Sequence, residues 1–423
     1  MLRSPGDISS RQHSHVRPSS IHVPALDGLR GIAILLVMLY HQTVQVGPTP
    51  VDRFVGFWLL SGWSGVDLFF VLSGFLITGI LYDSKHAEGY FRNFYARRVL
   101  RIFPLYYAIV VFSLLILPHI PHWKLDSLAR INGDELWYWT YLSNFSIAAH
   151  DAFRHGILDV SWSLAIEEQF YLTWPLLVLF LERQTLLRLC GVVFGVAFVW
   201  RCAALLLGVP PLAVSVLTPS RLDPLATGAV IALLARSTSG LARVARWTPL
   251  TLVLSAAVVL SIALWDGGFG PYSTPMVTIG YTALAVLFGS TLVLTLTAAH
   301  ASWHVWLLEQ TPLVTLGKYS YALYLFHLPI RAVLRDKLYG PDQFPVVLGS
   351  TLPGQVLFYL AASLAALGAA WLSWRLFESH FLALKRYFAT VTVGVGKTVA
   401  TAADAQLEPT TRMPDLVSET PTP

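Results

Sequence analysis

The chain has 423 residues, enough for two or three soluble domains, yet only 13% of them are charged (29 Lys and Arg, 24 Asp and Glu), about half the ~25% usual in soluble globular proteins. Hydrophobic residues make up 55% and the mean hydropathy is +0.59. This is more apolar side chain than one water-facing surface can hide, which excludes an ordinary soluble enzyme.

Span-length windows follow in chain order. No Asp, Glu, Lys or Arg occurs in 31–51, 102–123, 247–265, 267–308 or 343–374, and a bilayer core of about 30 Å needs roughly 20 helical residues. Adding the apolar stretches that hold one or two charges gives ten predicted helices, near 28–45, 63–82, 101–117, 163–182, 186–208, 222–236, 248–265, 276–298, 312–334 and 355–377. The expected class is an all-α polytopic membrane protein. With the termini on one side, 17 of the 29 basic residues fall in segments on that side and seven in the opposite ones. That bias predicts cytoplasmic termini and an even number of spans.

The polar lead 1–24 has no apolar core, so no signal peptide is predicted there. It and the tail 390–423, rich in Thr, Pro and Ala, are expected to be disordered, with the membrane domain between at 25–380. Cys190 and Cys202 are twelve residues apart in one apolar segment, ~18 Å along a helix and too far for a disulfide, so they read as packing residues. There is no glycine-rich phosphate loop and no paired CxxC; no metal, nucleotide domain or nucleic-acid partner is expected.

Charges inside the spans are the informative ones, because an ion in the membrane is costly to keep. In the first span Arg30 and His41 are eleven residues apart, about three helical turns and ~16.5 Å, so they share a face. With Arg30 at the rim, His41 lies near the midplane and is the candidate base or nucleophile; a His bonded to a neighbouring helix is the plainer reading. In the second span Asp67 either pairs with a basic residue or orients His41, while Ser73 and Gly74 read as close-packing residues. Arg97, Arg98 and Arg101 converge on one side of the next helix, as a topology signal or as an anion site whose guanidinium forks match phosphate oxygens.

Ser163, Glu167 and Tyr171 form one stripe of the fourth span, and of the adjacent Glu167 and Glu168 only one can face a common centre. The preceding loop, 118–162, is rich in Trp and Tyr and reads as a vestibule wall or as an interfacial belt. Further on, Arg221 and Asp223 open a short span, and Tyr321, Tyr324 and His327 lie on another. Arg375 and Glu378 are expected to pair at i and i+3.

Six segments in this order, LDGLRGIAILLVMLYH, GVDLFFVLSGFL, FYARRVLRIFP, WSLAIEEQFYL, RLDPLATGA and GKYSYALYLFHLP, closely resemble the acyltransferase-3 family of integral membrane O-acyltransferases. The resemblance covers roughly 25–380. It implies transfer of an acyl group, usually acetyl, from cytoplasmic acyl-CoA to a hydroxyl of an envelope saccharide or lipid-linked glycan, or in some members of a secondary metabolite such as a macrolide. The implied location is the inner membrane, with no tightly bound cofactor and with acetyl-CoA as donor substrate. The family's arginine–histidine pattern falls on Arg30 and His41, its arginine cluster on Arg97, Arg98 and Arg101, and its acid on Glu167 rather than Glu168.

The expected roles are therefore His41, Glu167 and Asp67 in catalysis, the four arginines at the donor, and Arg221, Asp223, Tyr321 and His327 at the acceptor. Some relatives fuse a hydrolase-like domain after the last span. About forty polar residues follow here, so the reaction is expected to finish within the membrane core. The rival class is a proton-coupled secondary transporter using Asp67, Glu167 and His41 as a relay. It would show broken helices repeated in both halves, and no second copy is visible.

Overall fold

The computed structural model describes residues 23–120, 133–299 and 302–388, and every regular element in them is a helix. The expectations of disorder for the N-terminal lead and for the tail fall almost wholly outside these residues. From the N-terminal side come α1 (Pro24–Gln42), α2 (Pro50–Leu59), α3 (Gly65–Asp83) and α4 (Tyr90–Val111). The short α5 (Glu135–Trp139) and α6 (Ser143–His150) lead to α7 (Ser161–Phe180), α8 (Arg183–Leu206), α9 (Pro211–Val216) and α10 (Leu222–Ala235). Next are α11 (Gly240–Ala245), α12 (Thr248–Trp265), α13 (Tyr281–Thr297) and α14 (Trp303–Leu308). The last four are α15 (Thr311–Lys318), α16 (Ser320–Val333), α17 (Leu352–Ser373) and α18 (Ser379–Ala383).

Local chemistry sets several of these ends. Pro24, Pro50 and Pro211 each open a helix, where the missing N–H would have had no partner anyway. Thr49 and Asp52 form a reciprocal capping box at α2, satisfying two otherwise orphaned donors.

Seven helical stretches among the described residues are long and apolar enough to cross a membrane: 24–42, 50–83, 90–119, 183–206, 248–265, 276–297 and 352–387. Helices also occupy the other three stretches read as spans. Of these, α7 carries Glu167 and Glu168, α10 has only 14 residues, and the stretch read as 312–334 is broken at Tyr319 into α15 and α16.

Close approach of backbones assembles the centre. A Cβ at Gly74 of α3 would overlap the Leu225 carbonyl of α10, and one at Gly228 of α10 would overlap the Val71 carbonyl of α3. Each helix thus seats the other where a side chain is missing, the membrane form of helix packing. In the same way Gly28 and Gly31 of α1 abut the carbonyls of Leu308 and Leu313, and Gly317 abuts that of Asp27.

Polar groups lock the frame. Arg201 of α8 and Asp223 of α10 are both fully buried and joined at 3.0 and 2.8 Å, with Arg201 also donating to the Ser220 carbonyl at 2.6 Å. Arg221 donates to Asp67 of α3 at 2.9 Å, and Arg236 makes a two-pronged contact with Asp83 at 2.6 Å. The two cysteines are both free, as the spacing requires. Arg375 and Glu378 do not pair: Glu378 accepts from Ser373 at 2.9 Å, and Arg375 lies over the Trp371 ring. The reason is a π-helical turn at Trp374–Glu378, whose wider winding takes i and i+3 off a common face.

Candidate active site

Two cavities border α1 at different heights. The first, about 100 Å³, is lined by Arg30, Arg98 and Arg101 on one side and by Ser73, Glu167 and Tyr171 on another. The second, about 300 Å³, is lined by His41 and Arg331 together with Asp159, Trp162 and Arg221. Val66 and Tyr324 line both and form their common wall. Arg30 and His41, eleven residues apart on one unbroken helix, face different cavities.

In the arginine-side cavity Arg98 and Arg101 form no ion pair among the described residues, whereas Arg30 donates to Asp27 at 3.2 Å. The Arg98 guanidinium lies 5.9 Å from the Tyr171 ring centre. Glu167 accepts from the Ser73 hydroxyl at 2.5 Å, and Ser73 Oγ lies 3.2 Å from the Tyr171 hydroxyl. Glu168, the neighbouring acid, lines neither cavity. This chamber brings guanidinium, carboxylate and hydroxyl groups together, an arrangement suited to an anionic ligand with a neutral extension.

The second cavity is organised by two imidazoles. His41 Nδ1 lies 3.0 Å from the Val37 carbonyl, and His327 Nδ1 lies 3.2 Å from the Leu323 carbonyl. A carbonyl oxygen only accepts, so both Nδ1 atoms carry the hydrogen in the neutral rings; the tautomers are assigned on this ground. His327 Nε2 is then a lone pair, 3.3 Å from His41 Nδ1, and it accepts a share of that N–H. His41 Nε2 is left as the basic atom of the pair. The end of α1 is pinned beside it. The Gln355 amide donates to the Gln42 carbonyl at 3.0 Å, and Thr43 Oγ1 meets the Tyr359 hydroxyl at 2.7 Å.

The wall between the cavities is held by hydrogen bonds. The Tyr324 hydroxyl donates to the Val160 carbonyl at 3.0 Å and receives Ser163 Oγ at 2.6 Å. The loop before α7 lines the histidine side with Phe153, Gly156 and Asp159, so the aromatic-rich segment does contribute to a chamber. Trp123, in the same segment, lies outside the described residues. Burial pushes the Asp159 carboxyl up to about 7, against the lowering effect of the backbone N–H groups of His155 and Gly156.

Several expected roles are redistributed. Arg97 turns away from Arg98 and Arg101 and donates to the carbonyls of Lys385 and Phe388 at 3.1 and 2.9 Å, so it lines neither cavity. The convergence expected from helical spacing fails because the C-terminal turn offers Arg97 a nearer set of acceptors. Asp67 does not orient His41; Arg221 engages it, and Arg221 also donates to the Ser215 carbonyl at 2.7 Å and lies 3.6 Å from the Tyr281 ring centre. Asp223, expected at the acceptor, is buried against Arg201 instead. Tyr321 donates to the Ile102 carbonyl at 2.6 Å and lines the arginine side, not the histidine side. His327 touches His41 itself.

Three groups escaped the sequence reading. Arg201 is a charge within a span, and a lone buried cation signals a buried partner. Ser73 was read as packing, and its link to Glu167 needs the approach of α3 to α7. Arg331 lies one turn beyond His327, and that i, i+4 spacing was its only signal.

Comparison with known proteins gives the same picture from another direction. A family model described as an acyltransferase domain, that of the acyltransferase-3 family, matches residues 23–375. The peptidoglycan O-acetyltransferase OatA of Listeria monocytogenes is 30% identical over 332 residues, which is 74% of this chain and 50% of that protein. The O-acetyltransferase OatA of Staphylococcus aureus is 29% identical over 356 residues, 77% of this chain and 53% of that protein. The chain therefore spans about half the length of the curated relatives it matches. No solved structure matches it. The matched region contains both cavities and the helix that joins them, and the chain belongs to the acyltransferase-3 family.

Proposed function

We propose that the protein is an inner-membrane O-acyltransferase that moves an acyl group, in the first instance acetyl, from cytoplasmic acyl-CoA to a hydroxyl of an envelope saccharide. The observation that carries this reading is the division of α1 between an arginine-lined chamber and an imidazole-lined one that share a single wall. Relatives named as O-acetyltransferases support the reaction class.

In this reading both termini are cytoplasmic and the arginine side opens inward. Arg98 and Arg101 take phosphate oxygens of coenzyme A, for which two unpaired guanidinium forks are suited. The thioester arm passes the Ser73–Glu167–Tyr171 cluster and reaches His41 past Tyr324. His41 Nε2 removes the acceptor hydroxyl proton as the oxygen attacks the thioester carbonyl. The new C–O bond forms, the C–S bond breaks, and the imidazolium returns its proton to the departing thiolate. His327 and the Val37 carbonyl hold the His41 ring in the tautomer that presents Nε2, and they take up the N–H of the imidazolium. His327 is thus a positioning residue.

The test is acetyl transfer by purified protein in lipid vesicles, with acetyl-CoA on one side and saccharide on the other. H41A is expected to lower transfer by about 10²-fold or more while melting at the wild-type temperature. Transfer at the wild-type rate by H41A would remove the assignment, and saccharide uptake independent of acyl-CoA would replace the reaction class.

A further inference from the structure

Arg331 is the charged group that the transfer scheme leaves without a task. It lines the histidine-side cavity, and its Nε is buried with no hydrogen-bond partner. It lies one helical turn from His327, which touches His41. The other ionic groups around it are already engaged. Asp336, the carboxylate that bears on it electrostatically, holds Arg335 at 2.5 and 3.0 Å. Arg221 is paired with Asp67. Asp159, on the same cavity, is bonded by the backbone N–H groups of His155, at 3.1 Å, and Gly156, lies 4.0 Å from the His155 ring, and forms no ion pair with Arg331.

The helix continues past Arg331 through the π-helical turn Leu334–Leu338, so its dipole, which acts in the last turn, does little for a cation there. An arginine in a membrane helix is costly to keep without a partner. The dipole does not offset that, and the carboxylate that bears on Arg331, Asp336, is shared with Arg335. A guanidinium kept beside a base in an open chamber calls for an anion from outside the chain.

We propose that the histidine-side cavity binds an acceptor that carries an anionic group, a carboxylate or a phosphate, and that Arg331 is the residue that binds it. The inference rests on the transfer reading only in calling this ligand an acceptor. A fork-shaped donor makes paired contacts with either anion, and it would hold the ligand with a neighbouring hydroxyl toward His41.

The experiment measures binding and turnover separately. Wild-type protein in detergent is titrated with methyl β-D-glucuronide, methyl β-D-glucoside and glucose 1-phosphate, following the fluorescence of Trp63 and Trp162, which line the cavity. At least one charged sugar is expected to bind about tenfold or more tighter than the glucoside, and comparison of the two separates carboxylate from phosphate. R331Q should bring the charged sugars down to the glucoside affinity and leave the glucoside unchanged.

Equal wild-type affinity for charged and neutral sugars overturns the proposal, whether or not the variant folds. So does an equal loss for all three sugars in R331Q, which would point to a group acting on the reacting carbonyl. Acetyl transfer is assayed in parallel. A preferred charged sugar that is bound but never acetylated removes the transfer reading and leaves the anion site standing; transfer with no charge preference does the reverse.

Discussion

Two sets of arginines divide the molecule. Arg201, Arg221 and Arg236 each hold a carboxylate from another helix, at 2.6 to 2.9 Å. Arg98, Arg101 and Arg331 face cavities and form no ion pair among the described residues. Both sets are expensive in an apolar surrounding, but the expense is met differently. The first set is satisfied by the fold and ties α8, α10 and α3 together. The second is left for something that arrives. In a membrane protein the presence of a charge therefore says less about function than the identity of its counter-charge.

This contrast can be broken by experiment, most severely at the buried pair. Removing one partner of a fully buried pair leaves the other charge stranded, at about 3–5 kcal/mol, so R201A should fail to give folded protein or melt far below wild type. The double change R201M/D223L should recover much of that loss, since an apolar replacement of both partners is often neutral. Normal melting of R201A would undo the division.

The second test runs the other way. R98A/R101A should melt like wild type yet bind acetyl-CoA about 10²-fold more weakly, as expected when two charge-assisted contacts of about 1.5–3 kcal/mol are not fully independent. Equilibrium binding of labelled acetyl-CoA measures this, and a large drop in melting temperature without a drop in affinity would move these arginines into the first set. R97A should be nearly silent in the same assay, because Arg97 is occupied by main-chain carbonyls.

A smaller effect on stability is expected at Asp159. Its folded pKa of about 7 lies above the ordinary carboxyl value. Between roughly pH 4 and 7 the folded state therefore holds a proton that the unfolded state has released, so stability falls as pH rises through that window. Melting temperature measured from pH 5 to 8 should decline by a few degrees more in wild type than in D159N. Parallel curves would show that this carboxyl is solvated.

Most of the helical frame is legible from hydropathy alone. The stretch read at 248–265 coincides with α12, because nothing but apolar period and length was needed there. The break at Tyr319 was not legible, since TLGKYSYAL contains no proline and the turn is set by how α15 lies along α1. The site divides in the same way. Arg30 and His41 could be placed on one face because both sit on one helix. The pairing of Asp67 with Arg221 rather than with His41 could not, because residues 154 apart in sequence meet only through the crossing of α3 and α10. Spacing rules speak within a helix and fall silent between helices.

The joining of Arg30 and His41 by one helix has a consequence for how such a protein tolerates change. Their separation, ~16.5 Å by helical rise, is set within one helix and does not depend on how any two helices are spaced. The lining of the histidine-side cavity, by contrast, includes Phe153 and Gly156 from one loop and Pro271 and Tyr272 from another. Substitutions in those loops reshape that cavity without altering the separation of Arg30 and His41 along α1. One part of the molecule is a fixed gauge and the other an exchangeable fitting.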